Sequence, residues 1–422
     1  MTKIQIYKFG GASVKDSLAF KNLAEILRNR LRKDMIIVVS AMGKTTNELE
    51  AILSKKLQGE DFSWNSAILK NFHHAICQEL FPAAHPIFSQ LDNLFTQLDN
   101  DLEKPLSRLN YDEYYDRIVG FGELVSSRIV AEFLCHQELI VLWKDAREVI
   151  HTDSYFRFAK IDWEKTKKSA QKIWKPLLAG FPILTQGFIG SDSKGKPTTL
   201  GREGSDFTAA ILATSLDASS VTIWKDVPGV LNADPKLFPN TRKFEELGYQ
   251  EAAEMTYFGA SVIHPKTIKP LANAKIPLFV KSFLDPEAAG TKIHENAPAH
   301  QVPTIVLKKD QVLVSFKVTD FTFIEEKHIH RVYEQLQELK LRVNMLQLSA
   351  ISISIVIDVQ LFKLEQLLEK LKSEFEIRYN EGLELLTILH HKQDEIGAFL
   401  EGYEVLLEQA SRNTFQVVRR KM

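Results

Sequence analysis

Over the first two thirds of the chain, short apolar runs alternate with helical patterns, and this alternation constrains the fold more than any other feature. Most of the runs are continuous and rich in β-branched or aromatic residues, as expected of strands buried on both faces of a parallel sheet. We predict strands over Ile4–Phe9, Met35–Ser40, Leu139–Trp143, Ile183–Gln186, Val221–Lys225 and Pro277–Phe283, and helices over Val14–Lys33, Ile118–Leu134, Ser205–Leu216 and Tyr249–Ala260. This order predicts a three-layer α/β/α sandwich with a mostly parallel sheet, which binds ligands at the carboxyl ends of its strands.

The pattern changes near the end of this region. Residues 285–303 are rich in Pro, Ala, Gly and His and lack periodicity, which predicts a linker. Beyond them we predict alternating strands and helices in the order βαββαβ, typical of a ferredoxin-like unit: Val312–Val318, Glu325–Leu341, Val343–Leu348, Ser352–Val359, Leu361–Phe375 and Glu376–Tyr379. Three further predicted strands indicate a second, shortened copy: Leu383–His390, Glu404–Gln409 and Phe415–Arg420.

Charge and composition exclude several classes of protein. A formal net charge of −1 gives no electrostatic basis for binding nucleic acid or an anionic membrane. No apolar run approaches the length of a membrane span, and the first residues lack the pattern of a secretion signal. Because only Cys77 and Cys135 are present, in apolar helix-like settings, we expect reduced thiols and a cytoplasmic location.

Two adjacent glycines follow the first predicted strand, in the segment KFGGAS. Such a pair marks a loop that needs a positive φ or a close approach of the backbone to something else. We predict that Lys8 ends the strand and that the amides of Gly10 and Gly11 face an anion at the N-terminus of a helix beginning at Val14. By itself the signal is weak, because a solvated lysine and a simple turn would produce the same letters.

Three more glycine-containing polar loops follow predicted strands. SAMGKTTN imitates the end of a Walker A loop, but Val38 stands where that motif needs its first glycine, so the P-loop interpretation fails. In TTLGREGSD, Arg202 lies between glycines, where it could bind a carboxylate or phosphate or be an ordinary surface arginine. In WKDVPGVLNADP, turns explain the glycine and prolines but not the adjacent Lys225 and Asp226. Together, the four loops predict one anion-binding site at one edge of the sheet.

These segments, with GELVSS, TQGFIG and EAAEMTYFGASVIHP, resemble the motifs of aspartate kinases in order and spacing. Aspartate kinases belong to the amino-acid kinase superfamily. The resemblance covers residues 3–293, and the remainder resembles the paired ACT-type regulatory domains of that family. It implies a catalytic domain over residues 1–293, a linker over 294–303, a first ACT-type domain over 304–380 and a shortened second unit over 381–422.

The resemblance assigns roles to individual residues. Lys8 matches the phosphate-contacting catalytic lysine, and Asp206 matches an aspartate that orients the basic groups. The positions that match the aspartate site are Ser40, Thr46, Glu123, Arg202, Gly204 and Ser205. The positions that match the ATP site are Gly10, Gly11, Ser13, Lys225, Asp226, Leu231, Asp234, Lys236, Ser261 and Val262. Arg202 would bind the substrate α-carboxylate and Glu123 its ammonium group, unless Glu123 forms a structural salt bridge. No residue is predicted to be a metal ligand.

The implied reaction fits these residue types. ATP, with Mg²⁺, would phosphorylate the β-carboxylate of L-aspartate, the first step towards lysine, threonine and methionine. A carboxylate with a reference pKa of about 3.9 is already ionised and needs no general base. Catalysis therefore reduces to positioning the substrates and neutralising their charge. The alternatives are a kinase for another acidic amino acid and a catalytically weakened homologue that binds amino acids for regulation.

The sequence departs from the family pattern at several positions. Ser261 replaces a frequent lysine, Glu203 a glycine, Lys225 a threonine, and Leu231 and Lys236 a tyrosine and an arginine. We interpret the chain as a divergent active kinase, with an impaired kinase as the alternative, and we predict that Lys225 compensates for Ser261.

The predicted regulatory region also departs from the family pattern. In relatives inhibited by lysine or threonine, the matching segment holds the effector with a glycine-containing loop, whereas residues 318–332 lack glycine and carry Glu325 and Glu326. We therefore predict a homodimer through residues 304–422 with weak or absent inhibition by lysine or threonine. The alternative is a monomer in which this region is only a stabilising cap.

Overall fold

The computed structural model describes residues 3–260, 263–300, 302–319, 322–391 and 396–422. These residues form two compact units. The described part of the first lies within residues 1–230, 243–253 and 262–299, and that of the second within residues 231–242, 254–261 and 300–422. The boundaries inferred from the sequence at residues 293, 303 and 380 stay predictions.

The first unit is built on an eight-stranded sheet. Its strands are β1 (Gln5–Phe9), β2 (Met35–Val39), β3 (Leu142–Lys144) and β4 (Ile183–Gln186), and, after a separate hairpin of β5 (Ile189–Ser191) and β6 (Pro197–Thr199), β7 (Ser220–Lys225), β8 (Glu246–Gly248), β9 (Leu278–Ser282) and β10 (Thr291–His294). The strand order is β3-β4-β2-β1-β7-β9-β10-β8. Every neighbouring pair is parallel except β9 and β10. The carboxyl ends of the central strands therefore meet at one edge.

Helices connect and cover these strands. They are α1 (Ser17–Arg28), α2 (Thr45–Gln58), α3 (Ser63–Leu80), α4 (Ile87–Glu103), α5 (Tyr111–Val119), α6 (Phe121–His136), α7 (Trp163–Ser169), α8 (Lys175–Leu177), α9 (Gly204–Ser215), α10 (Tyr249–Phe258) and α11 (Pro265–Asn273). Of α10, only residues 249–253 belong to the first unit. Helix α9 packs on β1, β2 and β7, and α6 packs on β2, β3 and β4. The predicted class, a mostly parallel α/β sheet with helices, is confirmed. Its strands were recognisable because runs such as β2 are buried at every residue.

Two predicted helices were wrong in their extent. The helix predicted over 14–33 begins at Ser17, where the Asp16 side chain accepts a hydrogen bond from the amide of Ala19 at 2.8 Å. It ends at Arg28, and a short 3₁₀ turn over Gly11–Val14 precedes it. The helix predicted over 118–134 is two helices, α5 and α6, that meet at Gly120. No element was predicted for residues 45–103, which form α2, α3 and α4.

The prediction of a linker over residues 285–303 was wrong for its middle part. Gly290 takes a φ of +76° and turns the chain into β10, which pairs with β9 and β8. Thr291 and Ile293 are buried while their neighbours are half-buried. An alternation over four residues is too short to stand out in sequence, because strands are recognised by patterns of about four to eight residues.

The second unit contains a six-stranded antiparallel sheet. Its elements are β11 (Thr304–Val318), α12 (Glu326–Glu338), β12 (Val343–Leu348), β13 (Ser352–Asp358), α13 (Leu361–Leu371), β14 (Phe375–Leu389), β15 (Tyr403–Ala410) and β16 (Thr414–Lys421). The strand order is β12-β13-β11-β14-β16-β15. Apolar residues of the two helices, including Leu336 and Leu367, pack with Phe316 and Ile355 of the sheet. The predicted βαββαβ order is therefore present, and its ACT-type assignment stays a prediction.

Two strands predicted near residue 380 are one. β14 runs from Phe375 to Leu389 and pairs with β11, and the register shifts between the pairs Gln311–Leu383 and Leu313–Asn380. Gly382, with a φ of +68°, lies in the resulting bulge. The bulge is accommodated within a continuous ladder, so the predicted second copy extends the same sheet. Between β14 and β15 the described residues include only a 3₁₀ turn, Gly397–Phe399.

Glu325, one of the two glutamates that contribute to the prediction of weak inhibition, has local partners. It is the N-cap of α12 and forms a capping box with His328, and its carboxylate lies 2.8 Å from Lys327 Nζ. These contacts neutralise part of its charge. Whether lysine or threonine inhibits the protein stays a prediction.

Within the described residues, no helix is both long and apolar enough to cross a membrane.

Candidate active site

A cavity of about 750 Å³ opens in the first unit where β1, β2, β4 and β7 end. It gathers residues from all four loops singled out in the sequence. The predicted residues that line it are Lys8, Gly10, Gly11, Ser13, Ser40, Thr46, Glu123, Arg202, Gly204, Ser205, Asp206, Lys225 and Asp226. The parallel pairing of the central strands brings these loops together, because it places their carboxyl ends side by side.

The two glycines of the first loop have different structural reasons. A Cβ on Gly11 would lie 2.9 Å from the backbone oxygen of Ala41 and 3.2 Å from that of Gly43, so this position requires glycine for close packing of two loops. A Cβ on Gly10 would meet Lys8 Nζ at 3.4 Å. Neither glycine has a positive φ in the described structure, and the close approach proposed for the pair is made at Gly11 by the second loop.

Side chains of α3 and α6 hold the second loop, SAMGKTTN, in place by hydrogen bonds. The hydroxyl of Ser126 donates to the carbonyl of Ser40 at 2.6 Å. At the start of α2, Thr45 Oγ1 lies 3.3 Å from Nε2 of the buried His73, whose Nδ1 lies 2.8 Å from the carbonyl oxygen of Leu69. Burial lowers the pKa of His73 to about 4, so the ring is neutral and accepts from the threonine hydroxyl while it donates to the carbonyl. These contacts fix the turn that presents Thr46 to the cavity.

Two lysines and two carboxyl groups form a charge cluster on the cavity wall. Lys8 Nζ lies 2.6 Å from Asp206 Oδ1, and Lys225 Nζ lies 3.4 Å from Asp206 Oδ2. Lys225 also lies 3.7 Å from Glu203 Oε2. Burial would raise the pKa of Asp206, but the two lysines outweigh burial and lower it below its usual value. Asp206 is therefore a buried anion that orients two cations.

Glu203 occupies an unusual backbone position. Its φ of 57° and ψ of 25° place it in the left-handed region directly before α9. This conformation costs a residue other than glycine about 1–2 kcal/mol. Burial raises the pKa of Glu203, with Lys225 opposing and Asp206 adding to the shift. The sequence singled this position out only as a departure from the family pattern.

Glu123 lies in the first turn of α6 and is buried. Burial raises its pKa to about 8, although the backbone amides of Ala41 and Glu123 and the charge of Lys8 favour ionisation. Its Oε2 is buried without a hydrogen-bond partner among the described residues. The predicted alternative was a structural salt bridge, and among the described residues Glu123 forms no ion pair. A buried carboxyl group with an unmatched oxygen is suited to binding a cationic group of a ligand.

Part of the cavity wall was not predicted from the sequence. Tyr115 donates to Glu50 Oε1 at 2.5 Å, and the Arg157 guanidinium lies 4.5 Å from the centre of the Tyr115 ring. The amide of Arg157 donates to both oxygens of the buried Asp116, at 3.0 and 2.9 Å, and Thr199 donates to the same carboxyl group. Asp116 thus joins α5 to the loop of Arg157 and to β6.

No sequence signal marked these contacts, because their partners are more than 40 residues apart. The further cavity residues without a predicted role are Ala12, Ala41, Gly43, Asn47, Phe158, Phe188, Gly201 and Trp224. Phe188, in the TQGFIG segment, has a φ of 68°. The residue type gives no indication of this backbone conformation.

Some predicted nucleotide residues are not among the lining residues described for the cavity, and their role stays a prediction. Leu231, Asp234 and Lys236 belong to the second unit, and the described lining residues do not include them. Ser261 and Val262 lie outside the described residues. Across the part of the chain that the structure describes, no group of three or more His, Cys, Asp or Glu side chains is arranged to hold a metal ion.

Comparisons with known proteins match the same region and the whole fold. Residues 3–282 match the model of the amino acid kinase family. The lysine-sensitive aspartokinase 3 of Escherichia coli is 32% identical over 400 residues, which cover 92% of this chain and 87% of that protein. A bifunctional aspartokinase/homoserine dehydrogenase 2 of Arabidopsis thaliana is 34% identical over 299 residues, and the match covers 68% of this chain and 32% of that longer protein.

Solved structures agree with these sequence matches. The crystal structure of E. coli aspartokinase III in complex with aspartate and ADP has a TM-score of 0.84 at 29% identity, covering 99% of this chain and 96% of that one. Its complex with lysine and aspartate has a TM-score of 0.80 with the same coverage. The family match and the aspartokinase match over nearly the whole length agree with the cavity at the strand ends. This chain therefore belongs to the amino acid kinase family and, within it, to the aspartokinases.

Proposed function

We propose that this protein transfers the γ-phosphoryl group of ATP to the β-carboxylate of L-aspartate, forming ADP and 4-phospho-L-aspartate. In the reaction, a carboxylate oxygen forms a bond to the γ-phosphorus while the bond from that phosphorus to the leaving oxygen of ADP breaks. The observation that supports this most is the Lys8–Asp206 pair at 2.6 Å, in one cavity with Arg202 and the buried Glu123. The product opens the synthesis of lysine, threonine and methionine.

The charges in the cavity suit a reaction between two anions. The acceptor carboxylate is ionised at neutral pH and needs no base, and the described lining residues include neither His nor Cys. Repulsion between the carboxylate and the phosphate is the main barrier to their approach. Lys8 and Lys225 provide positive charge, and Asp206 holds both ammonium groups in place before the substrates arrive.

The proposed aspartate site is formed by Arg202 and Glu123, which line the same cavity as the two lysines. Arg202 would bind the α-carboxylate through two parallel hydrogen bonds, and Glu123 would bind the ammonium group. Glu123 is suited to this because its Oε2 is buried without a partner among the described residues. The remaining proposed contacts are Ser40, Thr46, Gly204 and Ser205, which all line the cavity.

The nucleotide would bind with its phosphates near β1 and β7. Gly10, Gly11, Ser13 and Lys225 line that part of the cavity. Mg²⁺ would arrive with the phosphates, which share its coordination with water and one or two carboxylates in such sites, and the exposed Asp226 would supply a carboxylate. Resemblance alone supports nucleotide contacts by Leu231, Asp234, Lys236, Ser261 and Val262, and a compensation of Ser261 by Lys225.

We further propose that residues 304–422 are ACT-type regulatory units that join two copies of the chain. The antiparallel sheet of the second unit has two edge strands, β12 and β15, whose unpaired backbone groups could pair across a dimer. A cytoplasmic location is proposed from the cysteine content, since both Cys77 and Cys135 are free thiols.

An amino-acid panel tests the proposed reaction. The protein is incubated with ATP, Mg²⁺ and each acidic amino acid, ADP release is measured, and hydroxylamine traps the acyl phosphate as a hydroxamate. We expect ADP and hydroxamate with aspartate only, and neither with Asp206→Asn. Turnover with glutamate and not aspartate would make the protein a kinase for another acid. Binding of aspartate without ADP release would identify a regulatory homologue.

A further inference from the structure

Glu203 combines a strained backbone with a functional position. It adopts a left-handed conformation in which glycine would be at no disadvantage, and it lines the cavity. Because a glutamate in this conformation costs backbone free energy, we expect its side chain to have a role in the cavity. That side chain points into the cluster formed by Lys8, Asp206 and Lys225.

The cluster contains two cations that compete for one buried anion. Asp206 has Lys8 at 2.6 Å on one oxygen and Lys225 at 3.4 Å on the other. Glu203 approaches this cluster through Lys225, whose Nζ lies 3.7 Å from Glu203 Oε2. Glu203 therefore supplies a second carboxyl group on the side of the cluster where Lys225 lies.

We propose that Glu203 is a positioning residue that holds Lys225 at the phosphate end of the cavity and thereby keeps Asp206 paired with Lys8. The inference rests on the proposed kinase function, in which both lysines face phosphate. Without Glu203, Lys225 is drawn towards Asp206 and weakens the Lys8–Asp206 pair. Without Lys225, Glu203 and Asp206 present two carboxyl groups to the incoming phosphates, and Lys8 is the one lysine of the cluster left to balance them.

This arrangement predicts that the loss of ATP affinity caused by a substitution of Lys225 is partly reversed by a second substitution at Glu203. Lys225→Thr should raise the KM for ATP at least tenfold, because it removes a cation and leaves Glu203 beside the phosphates. Glu203→Gly in the same chain should recover most of that loss. Alone, Glu203→Gly should lower kcat several-fold with a smaller change in the KM for ATP. Glu203→Gln, which keeps the size and removes the charge, should act on kcat in the same way.

Stability measurements separate positioning from a purely structural role. Because glycine suits a φ of 57°, Glu203→Gly should melt at the same temperature as the native protein or higher, although its kcat is lower. A melting temperature that falls in step with kcat would make Glu203 structural and overturn the proposal. Glu203→Gln serves as the matched control, since it retains the strained backbone.

The deciding experiment is a double-mutant cycle on the full chain. KM and kcat are measured for the native protein, both single variants and the Glu203→Gly/Lys225→Thr variant, and the Kd for MgATP is measured by calorimetry for the same four. Recovery of ATP affinity in the double variant supports the proposal, and additive losses overturn it. If the native protein binds MgATP but does not phosphorylate aspartate, the proposed function fails, whereas the Kd cycle still decides whether the two residues are coupled.

Discussion

Substitution of Glu123 by glutamine should remove a pH dependence of aspartate binding that the native protein is expected to show. Burial raises the pKa of the Glu123 carboxyl group to about 8, so the empty site holds it mostly protonated at neutral pH. The ammonium group of Lys8 acts on it in the opposite direction and favours ionisation. If Glu123 binds the ammonium group of aspartate, it must ionise as the substrate enters, and binding must release a proton.

The size of the effect follows from the pKa. With a pKa of about 8, roughly one hundredth of the empty sites carry an ionised Glu123 at pH 6 and about half do at pH 8. The affinity for aspartate should therefore rise about fiftyfold between these pH values and level off above them. At pH 7, binding should release close to one proton per site, and the proton should come from this carboxyl group.

The same shift gives the sign of a stability effect in the protein without substrate. The pKa of Glu123 is higher in the folded chain than its ordinary value of 4.5, so the folded state binds the proton more tightly. Its contribution to stability is fully present below about pH 4.5 and is lost as pH rises through about 8. The whole loss is on the order of 5 kcal/mol for a rise from 4.5 to about 8. Saturating aspartate should restore part of it.

Calorimetric titration of aspartate at pH 6, 7 and 8 tests this directly. Titrations at pH 7 in MOPS and in imidazole, two buffers without phosphate whose ionisation enthalpies differ, give the number of protons released. Glu123→Gln should bind weakly with no dependence on pH and no proton release. Glu50→Gln is the matched control, because it removes an exposed carboxylate of the same cavity and should leave the pH dependence intact. Native affinity that is constant from pH 6 to pH 8 would refute the reasoning.

The other predictions concern the phosphate end, the substrate end and the second unit. Lys8→Ala should lower kcat by orders of magnitude in steady-state assays while the protein stays folded by circular dichroism; near-normal turnover would limit Lys8 to its structural ion pair with Asp206. Arg202→Lys should raise the KM for aspartate sharply and leave the KM for ATP nearly unchanged, because lysine cannot form the bidentate pair, and equal changes would place the arginine at the nucleotide. Gly11→Ala should destabilise the protein by about 1–3 kcal/mol in urea unfolding, because the added Cβ meets backbone at 2.9 Å, whereas Gly10→Ala should change stability little and mainly reduce activity. Sedimentation should show a dimer that is lost on deletion of residues 304–422, with weak or no inhibition by lysine or threonine; a native monomer or strong inhibition by submillimolar lysine would contradict these expectations.

The sequence was sufficient for the class of fold and for much of the candidate site. Runs such as Met35–Val39 are apolar at every position, short and rich in β-branched residues, which favours buried strands, and parallel strands carry their following loops to one edge. Lys8, Arg202 and Lys225 were therefore expected in one place before any contact was known. The structure brings all three to the same cavity.

Element ends and short strands were less predictable. The start of α1 depends on a single hydrogen bond from the amide of Ala19 to Asp16, and β10 is only four residues long. The continuity of β14 past Gly382 depends on pairing with β11, which begins more than sixty residues earlier in the chain. Local propensity carries no information about such pairing, because the backbone partner is chosen by the whole sheet.

The sequence by itself determined that this chain alternates strands with glycine loops and places cations and carboxylates after them. Only the tertiary structure decided which of these groups touch. It paired Asp206 with Lys8 from a segment almost two hundred residues away, brought Glu203 beside Lys225, and buried Glu123 deeply enough to change its charge at neutral pH. The physical reason is that composition and spacing determine which charges a loop carries, whereas distance and burial determine their pKa and their interactions, and both arise only when the strands are assembled into one sheet.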